Sequence, residues 1–205
     1  NKGVPDPTNP FVNRDPRLAF NVVTNGSTWN GRVIDQSPTG TDKMSNLNAS
    51  RTGYYLKKFL NDGLNLVQNT TRVHHWPVIR YAEILLSFAE AMNEAYGPDV
   101  NNGYVFNARQ AINAVRARPD VGMPAVVAAD KNSFRLAVKR EKQVELAFEN
   151  HRFWDLLRWK DAETVLNQPM KGLQITKNTA GRFVYAVANI ENRVFNASRM
   201  YFYPI

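Results

Sequence analysis

Three glutamates stand one helical turn apart in the second half of the chain, at Glu141, Glu145 and Glu149. No Gly or Pro interrupts the segment from there to Trp159, so it is predicted to be one helix that starts near residue 132. Two such carboxylates approach the separation of about 5–5.5 Å of a retaining glycosidase, with Glu145 and Glu149 as nucleophile and acid. Catalytic carboxylates flank a sugar from different directions, however, whereas neighbours on one helix point the same way. The spacing therefore favours structural ion pairs over catalysis.

Charges in this segment recur every three or four residues, which places them along one side of the predicted helix. Carboxylates one turn apart repel by about 0.2–0.5 kcal/mol per pair on an exposed helix, and by more when buried, so cations are expected close by. Arg152 is one such cation, and Arg80, Arg116 or Arg158 could supply others. The predicted structural ion network contains Glu141, Glu145, Glu149, Arg152 and Asp155.

Aromatic residues in the first third of the chain are candidates for ligand contact. Trp29 lies beside Asn30 and Arg32 in a polar, turn-rich stretch, where few neighbours in sequence could bury it. It either faces a ligand or folds back onto the core. Tyr54 and Tyr55 alternate on a predicted strand, so one of them is expected to face outward.

Trp76 precedes Pro77 at the entrance of the first clear helix, where packing against that helix is the ordinary role and ligand contact the alternative. The predicted ligand-binding residues are Trp29, Asn30, Arg32, Tyr54 and Trp76.

Composition excludes several classes of protein. The chain has 205 residues, 43% of them hydrophobic, and no cysteine, which rules out disulfides and thiolate chemistry. The net charge of +8 invites nucleic-acid binding, yet residues 1–75 and residues 76–205 each carry +4, and no basic run exceeds two residues. The longest apolar run, Phe183 to Ala188, is far shorter than the roughly 20 residues of a membrane helix. We expect no nucleic-acid partner.

Motifs for cofactor chemistry are missing from the sequence. His74 and His75 are adjacent, and in an extended segment they point to opposite sides, so they do not form a metal site. No phosphate loop, nucleophile elbow or His-Glu-x-x-His motif occurs. We expect no metal, no cofactor and no enzymatic activity.

Sequence character divides the chain into three parts of one domain. Residues 1–75 are rich in Asn, Gly, Thr and Pro, which predicts a loop-rich, ligand-facing segment with short strands at Val22-Val23 and Tyr54 to Leu56. Residues 76–160 are predicted to form a helical scaffold. Residues 161–205 are predicted to be a mixed, loop-rich C-terminal segment.

Two helices open the scaffold. Apolar residues recur at helical spacing from Val78 to Tyr96, where Gly97-Pro98 ends the helix, and a second helix is predicted from Tyr104 to Arg118. Alanines on both helices permit close approach, as in a tetratricopeptide hairpin of about 34 residues. The predicted fold class is mainly α: a tetratricopeptide-like helical scaffold with long irregular loops and short strands.

Several blocks, in order, resemble the C-terminal half of a SusD/RagB-type outer-membrane nutrient-binding lipoprotein. They are Asp15 to Leu18, Gly53 to Phe59, Arg80 to Glu94, Glu141 to Trp159 and the terminal Tyr203-Pro204-Ile205. Lys142 and Gln143 stand where the family commonly has arginines, which would thin the ion network. The family's N-terminal half, with its lipidated cysteine, and its last Pro-x-x-Glu and Asn-Pro elements are expected to lie outside this chain, so the SusD-like fold would be incomplete.

The resemblance implies a protein on the outer face of the outer membrane, held there by a lipid anchor that is absent from this chain. Such proteins bind an oligosaccharide and deliver it, without cleaving it, to a TonB-dependent, SusC-like transporter. The alternative within the family is peptide binding. From other classes, a glycoside hydrolase and a purely structural helical-repeat interaction module remain open.

Overall fold

The structure is a computed structural model that describes residue 6 and residues 8–201. The terminal Tyr203-Pro204-Ile205 block lies outside the described residues. The described chain divides into two compact units. The first unit holds residues 6, 8–14, 18–75 and 153–201, and the second, helical unit holds residues 15–17 and 76–152.

The helical unit is built on α2 (Tyr81–Tyr96), α3 (Ala108–Arg116) and α4 (Lys131–Glu145). Small residues line the contact between α2 and α3, where Ala89, Ala108 and Ala111 are fully buried. Phe134 of α4 fills the same core, so three helices share one apolar cluster. The predicted helix hairpin is confirmed.

Helix α3 starts four residues later than the apolar pattern predicts. Asn107 caps it: its side chain accepts a hydrogen bond from the Gln110 N–H, while the Gln110 side chain accepts one from the Asn107 N–H. This reciprocal cap fixes the first turn. Asn102 and Gly103 just before it have positive φ values of 46° and 83°, which no helix accommodates.

The prediction of one continuous helix to Trp159 is wrong. Helix α4 ends at Glu145, the chain turns, and α5 (Arg152–Arg158) begins after the turn. Phe148 and Asn150 each have a φ of 64°, which ends right-handed helix even without Gly or Pro. Asn tolerates this conformation, whereas for Phe it is strained, so surrounding contacts must hold the turn in place.

The first unit contains three antiparallel strand pairs. Strand β1 (Val22–Thr24) pairs with β4 (Tyr54–Leu56), which confirms both predicted strands. Strand β2 (Thr28–Trp29) pairs with β3 (Arg32–Val33) across an Asn30-Gly31 turn in which both residues have positive φ. The third pair, β5 (Met170–Lys177) with β6 (Phe183–Glu191), lies where a loop-rich tail was predicted.

Short helices complete the part of the chain that the structure describes. They are α1 (Arg17–Asn21), α6 (Ala162–Leu166) and α7 (Ala197–Met200), with one 3₁₀ turn at Leu66–Gln68. Among the described residues, none of the helices has both the length and the apolar character needed to cross a bilayer.

Candidate functional site

The three glutamates of the helical unit are ion-paired and buried. Arg17 Nη1 donates to Glu141 Oε1 at 2.6 Å and to Glu145 Oε2 at 2.9 Å, and the Arg17 side chain is only 4% exposed. The other edge of the same guanidinium holds Asp15 through Nε and Nη2. One arginine therefore joins three carboxylates.

Further arginines surround this cluster. Arg80 holds Glu149 through two hydrogen bonds, of 2.6 and 2.8 Å, and reaches Glu145 at 3.0 Å. Arg118 donates to Glu145 at 2.7 Å, and Arg116 donates to Glu141 at 2.5 Å. Glu149 lies beyond the end of α4 and shares the Arg80 guanidinium with Glu145.

These carboxylates are unsuited to acid catalysis. Burial raises the pKa of Glu145, but hydrogen bonds from Arg118 and Arg17 outweigh it and bring the pKa below its usual value. A general acid in a glycosidase needs the opposite shift, because it must stay protonated to donate its proton. Side chains that are 2–6% exposed also offer a sugar no access. The cluster is a brace, which we call the arginine–glutamate network.

The other two predicted members are Asp155 and Arg152, whose place in the network stays a prediction. Asp155 belongs to the first unit, where its Oδ1 accepts from Arg158 at 2.8 Å. Arg152 begins α5 and is partly exposed. Sequence reasoning missed Arg17 and Arg118 as partners, although Arg17 stands in the Asp15 to Leu18 block and could have been found there.

A cavity of about 350 Å³ lies in the first unit beside Trp29, and we call it the Trp29 cavity. Trp29 and Arg32 are register partners on β2 and β3, so both side chains project from the same face of the hairpin. Tyr55 of β4 lines the cavity as well. Polar side chains complete the wall, among them Asp42, Asn46 and Asn48.

Charged side chains lie close to Trp29 and line part of this cavity. Arg32 binds Asp42 with two hydrogen bonds of 2.5 Å, which hold the pKa of Asp42 below its usual value. The Lys57 ammonium lies 6.0 Å from the centroid of the Trp29 ring and donates to the Ala19 carbonyl. The result is an aromatic surface with polar groups in fixed positions.

Three predicted ligand residues lie outside the Trp29 cavity. The Asn30 Oδ1 accepts from the Gly63 N–H at 2.7 Å, and the Asn30 N–H donates to Asp62, so Asn30 fastens two loops together. The Tyr54 ring packs edge-on against Phe11, on the face of β4 opposite Tyr55. Trp76 lies in the helical unit, 61% exposed ahead of α2.

The two units differ sharply in net charge. The described residues of the first unit include 14 basic and 8 acidic side chains, a net charge of +6, whereas the helical unit has 11 basic and 10 acidic side chains, a net charge of +1. Division of the sequence at residue 75 hides this difference, because the positive tail from residue 153 belongs with the first unit. Among the residues that the structure describes, no cluster of His, Asp or Glu suits a metal ion.

Comparison with known proteins agrees with this architecture. A family model described as the SusD family matches residues 2–205. The chain is 38% identical to a SusD-like protein of Formosa agariphila, with 69% of this chain and 29% of that protein covered. The chain belongs to the SusD family.

Two solved structures from Bacteroides fragilis share the fold. One is a SusD-like carbohydrate binding protein that is 30% identical to this chain, with a TM-score of 0.76. The match covers 98% of this chain and 41% of that protein. The other is a SusD-like protein that is 28% identical to this chain, with a TM-score of 0.76. The match covers 93% of this chain and 36% of that protein. The predicted fold class is confirmed. The chain spans well under half the length of each of these relatives.

Proposed function

We propose that the full-length protein captures a glycan in the Trp29 cavity. The observation that carries this proposal is the arrangement of Trp29 and Tyr55 beside the Arg32–Asp42 pair and two asparagines in one cavity. Aromatic faces stack on the apolar faces of sugar rings at little cost in ordering, while amides and charged groups hydrogen-bond the hydroxyls. The relative from Bacteroides fragilis that is a carbohydrate binding protein supports the same ligand class.

The proposed role is to bind and pass on, without cleavage. The carboxylates whose spacing suggested hydrolysis are held by arginines in the helical unit, away from solvent. The ligand would be delivered to a TonB-dependent, SusC-like transporter, and the full-length protein would sit on the outer face of the outer membrane through a lipid anchor. Membership of the SusD family supports both statements.

Calorimetry of the full-length protein against a panel of polysaccharides tests glycan capture. We expect one or more glycans to bind and Trp29→Ala to weaken that binding about tenfold or more, because the ring supplies both apolar area and stacking. Trp154→Ala is the matched control: Trp154 is a 47% exposed tryptophan of the same unit and does not line the cavity. Equal effects of the two substitutions would contradict the assignment of the cavity.

The same panel separates the alternatives. Binding of peptides without binding of any glycan would favour a peptide-binding member of the family. Release of reducing sugar that Glu145→Gln abolishes would favour a glycoside hydrolase. A structural interaction module predicts that neither glycans nor peptides bind and that Trp29→Ala changes nothing measurable.

A further inference from the structure

Two short strand pairs of the first unit separate two cavities. Because side chains alternate between the faces of a strand, neighbouring residues project into different spaces. Arg32 and Tyr55 line the Trp29 cavity, whereas Val33 and Thr24 line a second, larger cavity of about 1030 Å³. The second cavity also borders the β5–β6 hairpin at Tyr185, and we call it the Tyr185 cavity.

Aromatic rings form a wall of the Tyr185 cavity. The Tyr185 ring lies 5.4 Å from Phe11 and 6.3 Å from Phe183, measured between centroids. The Tyr185 hydroxyl accepts a hydrogen bond of 3.0 Å from Asn25 Nδ2, which fixes the orientation of the ring. Rings held this way provide a rigid surface for a flat ligand, in a cavity as large as those that hold small ligands.

Arg182 supplies a cation to this wall. It ends the turn between β5 and β6, where its backbone N–H donates to Asn178 Oδ1 at 3.0 Å. Within the part of the chain that the structure describes, no carboxylate lies within ion-pair distance of its guanidinium. By contrast, Arg32 at the Trp29 cavity donates from both Nη1 and Nη2 to the Asp42 carboxylate. Arg182 therefore keeps a planar set of donors that fits a carboxylate or a sulfate group.

The surrounding charge favours an anion as well. The described residues of the first unit carry a net charge of +6, which attracts an acidic ligand toward the unit. Among the described residues, one carboxylate lines the Tyr185 cavity, that of Asp6, and it accepts hydrogen bonds from the Thr8 backbone N–H and hydroxyl at 2.8 and 2.7 Å. These hydrogen bonds hold the Asp6 carboxylate within a local turn.

We propose that the Tyr185 cavity is a second carbohydrate site, which takes a sugar unit bearing a carboxylate or a sulfate ester. Arg182 holds the anionic group, and the rings of Phe183 and Tyr185 stack on the sugar. This inference rests on the proposed glycan capture and adds the acidic character of the ligand. The two cavities would then contact separate sugar units.

Calorimetry of the full-length protein with matched probes tests this site. The probes are oligogalacturonate, its methyl ester, a sulfated carrageenan oligosaccharide and the same oligosaccharide after desulfation. We expect at least one acidic probe to bind more tightly than its uncharged counterpart. Arg182→Gln should weaken the acidic probe about tenfold and leave the uncharged one unchanged, because a charge-assisted pair is lost. Tight binding of the sulfated probe alone would identify the anionic group of the ligand as a sulfate ester. Tight binding of oligogalacturonate alone would identify it as a carboxylate.

Control variants isolate the role of Arg182. Arg72→Gln removes the same charge from the same unit at an exposed residue that lines neither cavity, and we expect it to change affinity less than about twofold. Arg182→Lys should retain part of the affinity, since it keeps the charge but loses the planar fork. In Trp29→Ala, the binding that depends on Arg182 should persist.

Two results would overturn the second site. One is equal affinity for the acidic and uncharged probes, and the other is an Arg182→Gln variant that matches Arg72→Gln. Either result leaves the proposed function standing if a panel glycan still binds in a manner that depends on Trp29. Failure of every glycan to bind would contradict both proposals.

Discussion

Arginines and aromatic rings occur in both units of this protein, but they are used in different ways. In the helical unit, Arg17 and its neighbours are matched against buried glutamates, and the unit is almost neutral. In the first unit, cations such as Arg182 and Lys57 stay close to aromatic surfaces without a carboxylate partner among the described residues. Arginines matched by buried carboxylates brace the helical unit, whereas the first unit contains both paired cations, such as Arg32, and Arg182, which has no carboxylate partner among the described residues.

The largest effect is expected from removal of the central cation of the brace. Arg17→Ala leaves Glu141 and Glu145 buried with fewer partners, which should cost about 3–5 kcal/mol of unfolding free energy. Arg135→Ala removes an equally short pair with Glu94, but on the surface, and should cost less than about 1 kcal/mol. Denaturant unfolding of both variants measures the difference. Equal losses of unfolding free energy in the two variants would show that burial of the network adds nothing to its contribution to stability.

Acid should weaken the arginine–glutamate network. The pKa of Glu145 is lowered in the folded protein, so its contribution is complete above the unfolded pKa of about 4.3 and is lost as the pH falls through the folded pKa. Unfolding free energy measured from pH 7 to pH 2 should therefore decline below about pH 5.

A variant without the charge provides the control for this pH dependence. Glu145→Gln should be less stable at neutral pH and show a flatter decline in acid. Glu94→Gln, at an exposed pair, should keep most of the wild-type decline because the buried carboxylates are untouched. An identical acid profile for Glu145→Gln and wild type would contradict the assigned role.

A smaller effect distinguishes the two faces of β4. Tyr55→Ala should weaken glycan binding about fivefold, since Tyr55 lines the Trp29 cavity, and should leave stability nearly unchanged. Tyr54→Ala should instead lower stability by about 1 kcal/mol, because the ring packs edge-on against Phe11. Parallel titration and thermal unfolding of both variants would test this alternation, and a reversed pattern would contradict it.

The sequence predicts the helical unit better than the first unit, for a physical reason. Helices α2 and α3 follow from local apolar spacing, and the glutamate series from one-turn repeats. The turn after α4 contains neither Gly nor Pro, so no local signal in the sequence marks it, and the partner of Glu149 within it, Arg80, is distant in the chain. Local pattern carries no information about a guanidinium 65 residues away in the chain.

The cavities were only partly predictable. The polar surroundings of Trp29 and Arg32 predict both as ligand residues, and the two side chains lie on one face of a hairpin. Asp42 and Asn46 come from a later loop, and no sequence pattern joins them to Trp29. The β5–β6 hairpin was not predicted, although Leu173 and Ile175 alternate toward the core, because this alternation is short and lies in a segment of mixed composition.

A crystal structure of the full-length protein with a glycan chosen from the panel tests the central claim most directly. We predict a sugar ring stacked on Trp29 in the first unit, while Glu141, Glu145 and Glu149 keep their arginine partners and make no contact with the ligand. A glycan bound with its anomeric carbon beside those glutamates, in an open cleft, would contradict the account.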